Sequence, residues 1–220
     1  TSLTVDPGYT RELFKNMKGL HKKFFCNGNV DVLARDPDLV RLSREAGCAA
    51  WLIGFESVCQ DTLNKVGKTT NTVEEYAQAV HNIHSNHMAV IGDFIFGVNT
   101  DTPEVFEKTL AVIRTLDIDV ADFSILTPFP GTPLFKELDK QGRIRTKDWK
   151  LYNMGHAVYQ PNLMTPEQLE RGVQWISNEF YGLSMTITRV IRSLRFGCFT
   201  FFVVLSRNLA AMMSRRRLFE

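Results

Sequence analysis

Cysteine is scarce in this 220-residue sequence. Cys26, Cys48, Cys59 and Cys198 are separated by 22, 11 and 139 positions, so no CxxC or other close ligand pair is present. That spacing excludes a disulfide-built scaffold and a zinc knuckle, and a reducing cytoplasm is the expected setting. Fourteen glycines and eight prolines are too few for a collagen-like or low-complexity chain. No apolar run is long enough to cross a bilayer as a helix, and the first nine residues lack the basic and apolar regions of a secretory signal. The net charge of +2 is small but uneven: from Leu183 onward seven Arg stand against one Glu, giving +6 and leaving −4 for the rest. The two regions are expected to meet different surroundings.

What is present is an alternation of short apolar runs with longer helical patterns over residues 23–126, the βαβ signature of a parallel sheet. The runs are residues 23–27, 49–55, 90–96 and 120–126. Asp36-Pro37 offers an N-cap followed by proline at the first helical position, and Gly47 can close that helix in a left-handed conformation. Thr72 with Glu75 fits a capping box, and Thr102-Pro103-Glu104 and Thr165-Pro166-Glu167 begin two more helices. The prolines of Thr127-Pro128-Phe129-Pro130-Gly131-Thr132-Pro133 make a stiff turn that ends the repeat. A short helix over 134–141 and an irregular covering segment over 142–162 are expected next. Residues 196–205 (FGCFTFFVVL) read equally as strand or helix, because a short apolar run carries no decisive period. The arginines on either side leave a membrane-surface role open; docking on the main domain is the alternative. No nucleic-acid-reading motif accompanies the arginine tail.

In parallel α/β folds, ligands bind beyond the carboxyl ends of the strands. The second run ends Ile53-Gly54-Phe55-Glu56-Ser57, and the third, Gly92-Asp93-Phe94-Ile95-Phe96-Gly97, holds an acid inside an apolar strand. A buried, unpaired carboxylate costs several kcal/mol, roughly, so Asp93 must find donors or stay near water. Alternation sets Asp93 and Ile95 on one face and Phe94 and Phe96 on the other. If the phenylalanines pack under the helices, Asp93 faces an interior where ligand hydroxyls can bind. The plainer alternatives are that Asp93 pairs with a neighbouring strand or an arginine, and that Glu56 caps the next helix. His81, His84 and His87 do not share one side of a helix and make a poor metal set. Gly67-Lys68-Thr69 lacks the upstream glycine of a phosphate loop.

Five segments in order resemble the radical S-adenosylmethionine superfamily: Ala46-Gly47-Cys48, Gly54-Phe55-Glu56-Ser57, Lys65-Val66-Gly67-Lys68-Thr69, Gly92-Asp93-Phe94-Ile95-Phe96-Gly97 and residues 127–133. The nearest branch is the one often preceded by a cobalamin-binding domain. The resemblance implies α/β architecture: an incomplete parallel (βα) barrel with about four of six βα units over residues 1–140, then a mainly helical extension with a basic tail over 141–220. It implies that Glu56, with Ser57, contacts the methionine part of S-adenosylmethionine, that Lys68 approaches its carboxylate, that Asp93 holds the ribose hydroxyls, and that the backbone from Leu126 to Pro128 lies beside the adenine. The family's activity is generation of a 5′-deoxyadenosyl radical at a [4Fe-4S] cluster, here for modification or methylation of a small molecule or lipid.

The sequence departs from that family in one respect, since no CxxxCxxC occurs and the four cysteines are too dispersed to hold a cluster. Residues 1–6, Thr1-Ser2-Leu3-Thr4-Val5-Asp6, resemble the end of the family's second strand. The expectation is a C-terminal part whose cluster ligands, and cobalamin where used, lie in a missing N-terminal segment, leaving the chain alone inactive. A degenerate barrel that binds a nucleotide or a protein partner is the competing expectation. Expected partners are the small-molecule or lipid substrate and the missing segment, with no nucleic acid. The expected location is cytoplasmic, with peripheral membrane contact through the C-terminal region.

Overall fold

The structure, a computed structural model, describes residues 2–65, 67–68 and 70–214. Val66 and Thr69 of the third motif, Thr1, and the arginines at 215–217 lie outside the described residues. Four strands, β1 (Phe24–Gly28), β2 (Cys48–Glu56), β3 (Ala89–Phe96) and β4 (Val120–Ile125), form one sheet in the order β1-β2-β3-β4. All neighbouring pairs are parallel. Sequential order without reversal, combined with right-handed crossovers, sends successive connections to the same side and leaves the other side as a hollow. This is an incomplete α/β barrel.

The helices are α1 (Pro7–Met17), α2 (Val30–Arg35), α3 (Pro37–Ala46), α4 (Gln60–Lys65), α5 (Tyr76–Ser85), α6 (Val105–Thr115), α7 (Pro133–Lys140), α8 (Pro166–Phe180), α9 (Leu183–Ser193) and α10 (Cys198–Ser214). Local chemistry explains several boundaries. The Asp36 side chain accepts from the Leu39 amide at 3.0 Å, Pro37 opens α3, and Gly47 ends it at φ +110°. Thr165 and Gln168 cap α8 reciprocally. Thr72 and Glu75 do not form the expected box: Thr72 makes no side-chain cap and residues 73–75 are a 3-10 turn. Residues 3–5 are a 3-10 turn leading into α1, where a strand end is expected from the resemblance. The ambiguous run at 196–205 enters a helix, α10, whose side chains pack on the sheet.

Two layers hold the sheet. On the helix side Trp51, Phe55, Phe94 and Phe96 are fully buried, with Phe55 and Phe94 stacked at 5.4 Å. Each such ring contributes roughly 2–3 kcal/mol on burial. On the hollow side Ala50, Ala89, Ile91 and Val120 near the strand starts are covered by Phe196 and Val204. The final helices therefore close the foot of the hollow, at the strand starts. The edge strand β1 leaves Phe25 exposed, an unpaired border of the kind that invites further strand pairing. Among the described residues no helix is long and apolar enough to cross a membrane.

Candidate functional site

The strand alternation places Asp93 and Ile95 on the hollow side, where with Glu56 they line a cavity of about 650 Å³. Asp93 has no hydrogen-bond partner among the described residues. Burial, then the neighbouring Asp122 and Glu56, push its carboxyl up to about 7, with Arg207 and Lys68 pulling back. A carboxylate so placed is primed for donors that a ligand brings. Glu56 is not a helix cap, because its Oε1 lies 2.8 Å from Lys68 Nζ.

Glu56 also carries the site's backbone strain. Its φ is +64°, a left-handed value unusual for a side chain with a Cβ, and the β2–β3 register shifts between Gly54 and Glu56. Such strain persists only where surroundings over-determine it. The Asn71 amide donates to the carbonyls of Gly54 (2.8 Å) and Phe55 (2.9 Å), while the Tyr76 hydroxyl lies 2.8 Å from the carbonyls of both Phe55 and Ser57. These two buried side chains clamp the bulge and thereby aim Glu56 at the hollow. A Cβ at position 54 would come within 2.6 Å of the Glu56 carboxylate, so Gly54 keeps that space clear.

A second cavity of about 230 Å³ is lined by Glu56, Ser57, Lys68, Ile95 and Leu126, and Glu56 and Ile95 border both cavities. Leu126 is tied to β3 through its amide, which donates to the Phe96 carbonyl at 2.8 Å. Pro128 is buried and lines neither cavity. The structure thus brings together Glu56, Ser57, Lys68, Asp93 and Leu126, and sets Pro128 apart. Sequence reasoning missed Asp122 and Arg207, whose ion pair (2.6 Å) stands beside Asp93 on the same wall. Asp122 follows the alternation of its strand and was findable; Arg207, 85 residues further on, had no local signal.

The cysteines do not make a cluster site. Cys26 and Cys48 are buried with Sγ atoms 3.6 Å apart, Cys59 and Cys198 are exposed, and no group of three metal-ligating side chains occurs among the described residues. A [4Fe-4S] cluster needs at least three convergent thiolates, so this donor set does not fit one. The histidines form no metal-ligating group among the described residues either: His84 Nε2 lies 2.9 Å from Asp119 Oδ2 and its ring stacks on Phe196.

No family model matches the chain. It is 32% identical to bacteriochlorophyllide d C-12(1)-methyltransferase of Chlorobaculum tepidum over 86% of this chain and 41% of that enzyme. It is 31% identical to anaerobic magnesium-protoporphyrin IX monomethyl ester cyclase of Cereibacter sphaeroides over 72% of this chain and 26% of that enzyme. Among solved structures, the radical S-adenosylmethionine methyltransferase TsrM from Kitasatospora setae, with cobalamin and a [4Fe-4S] cluster bound, matches 78% of this chain and 36% of its own at a TM-score of 0.58 and 19% identity, a likeness of fold. The chain is homologous to radical S-adenosylmethionine methyltransferases and cyclases, and it resembles the cobalamin-associated branch of that superfamily. It spans about two fifths, or less, of the length of these curated relatives.

Proposed function

We propose that this chain is the S-adenosylmethionine-binding, C-terminal part of a radical S-adenosylmethionine enzyme that modifies or methylates a small molecule or lipid. The observation that carries the reading is the unpartnered Asp93 carboxylate facing, with Glu56, a hollow at the strand ends. Asp93 would accept from the two ribose hydroxyls, and charge-assisted bonds of that kind are worth about 1.5–3 kcal/mol each. Lys68 would meet the cofactor's carboxylate, with Glu56 and Ser57 on its amino and methionine side. The backbone at Leu126, which lines the smaller cavity, would flank the adenine. The complete protein would generate a 5′-deoxyadenosyl radical at a [4Fe-4S] cluster, and cobalamin would serve in a methyl transfer. Neither group is assigned ligands in this chain, which is accordingly expected to be inactive alone.

Anaerobic incubation of the 220-residue chain with iron and sulfide tests this division. The expected result is no stable [4Fe-4S] absorption after desalting; a bound cluster overturns it. The dispersed cysteines also favour, as a second reading, a non-catalytic nucleotide- or partner-binding barrel. An upstream reading frame carrying CxxxCxxC decides for the enzyme, and an immediate upstream stop codon for the binding module.

A further inference from the structure

Helices in a globular protein turn apolar side chains inward and polar ones outward. The last two helices depart from this: α9 buries polar side chains, α10 buries Val204 between two polar ones, and both leave rows of apolar side chains exposed. On α9 the buried side chains are Thr186, Arg189 and Ser193, while Leu183, Ile187, Ile191 and, one turn on, Leu194 face out. On α10 Thr200, Val204 and Asn208 are buried, while Phe199, Phe202, Leu209 and Met213 face out. These outward side chains are 46–71% exposed.

The inward polar groups are paired in part, with Arg189 Nε and Nη1 buried without a hydrogen-bond partner among the described residues. Arg189 donates to Asn208 Oδ1 at 3.0 Å and lies 3.8 Å above the Phe180 ring, and Asn208 donates to the Asp119 carbonyl at 3.0 Å. The inner faces of both helices therefore meet around Asp119 at the start of β4. The exposed apolar side chains lie on the sides of these helices turned away from that region.

Charge selects the occupant. From Leu183 to the end the sequence holds seven Arg, one Glu, and no Lys or Asp. Arg192 and Arg207 are paired with Asp117 and Asp122, but Arg195 is exposed beside the Phe196 ring, and Arg215-Arg216-Arg217 follow α10 in the sequence. A second copy of the same patch would oppose like charges. An anionic surface would neutralise them while accepting the apolar side chains, the combination that binds a helix in the plane of a bilayer interface. With 17 residues and no spanning character, α10 suits lying on a membrane rather than crossing it.

We propose that the outer faces of α9 and α10 dock this protein on an anionic lipid bilayer. Vesicle flotation of the full chain tests this with phosphatidylcholine vesicles and with phosphatidylcholine vesicles carrying phosphatidylglycerol. The expected result is flotation with the anionic vesicles only, weakened by salt and reduced at least about tenfold by the double substitution Ile191→Ser, Phe202→Ser. Both positions are exposed, so the variant should keep the parent's circular dichroism and melting curve. Flotation with neither vesicle, equal flotation with both, or no response to the double substitution overturns the proposal. So does a concentration-dependent dimer that the double substitution abolishes, which would assign the surface to a second copy.

Discussion

Asp93→Asn is expected to make the protein more stable at pH 8, by about 2 kcal/mol, and to remove a pH dependence that the parent shows. The sign follows from the carboxyl's two states. In the unfolded chain it titrates near 3.9, roughly. In the folded protein burial, with Asp122 and Glu56 adding repulsion, lifts it to about 7. The folded state therefore holds the proton more tightly, so this residue's stabilising contribution is complete below about pH 4 and is lost as pH rises through about 7. The full difference corresponds to roughly 4 kcal/mol, and partial solvent access at the mouth reduces it to about half. Asparagine keeps the shape and removes the charge. Urea unfolding at pH 5 and pH 8 should show parent stability falling across that interval relative to the variant. Parallel behaviour of the two proteins would show that the carboxylate is not held at a cost.

Gly172→Ala is expected to destabilise the protein by about 2–3 kcal/mol, although alanine is the better helix former by about 1 kcal/mol. Gly172 lies mid-way along α8, and a Cβ there would fall inside the ring of Phe106 on α6. That ring is buried and stands 4.9 Å from Phe96, so it has little room to retreat. A melting temperature lower by about 8 °C follows for a chain of this size. Phe106→Leu should recover part of the loss when combined with Gly172→Ala, giving a favourable interaction energy in the double-mutant cycle. A rise in melting temperature on Gly172→Ala alone would show that the two helices separate easily.

How much of this was legible in the sequence depends on the range of the forces involved. The four strands and their order are local: apolar runs of the right length, punctuated by Asp36-Pro37 and Gly47, lie within two residues of the expected limits. Asp93 and Glu56 were legible because a period of two converts position into face. The box at Thr72 failed because Thr72 is followed by a 3-10 turn, which displaces Glu75 from its reciprocal position. The character of α10 was not legible, since its buried side mixes Thr200 and Asn208 with Val204 while larger apolar side chains lie outside. Asn71 and Tyr76, which hold the strained Glu56 from the chain beyond α4, carried no signal because ordinary polar and aromatic residues fill such roles everywhere. The Asp122–Arg207 pair joins segments 85 residues apart and required coordinates.

On the proposed reading Asp93 would accept from vicinal hydroxyls and Lys68 would meet a carboxylate, with the strained bulge aiming Glu56 into the cavity between them. Such pre-organisation commonly trades stability for binding, which is why the same Asp93→Asn change that should stabilise the fold should also empty it. Calorimetric titration of the chain with S-adenosylmethionine, parent against Asp93→Asn, tests the central claim most directly. One saturable site in the parent, with affinity reduced by at least about a hundredfold in the variant as the loss of two charge-assisted bonds requires, is the predicted result. Equal affinity of the two proteins would place the ligand elsewhere and contradict the account.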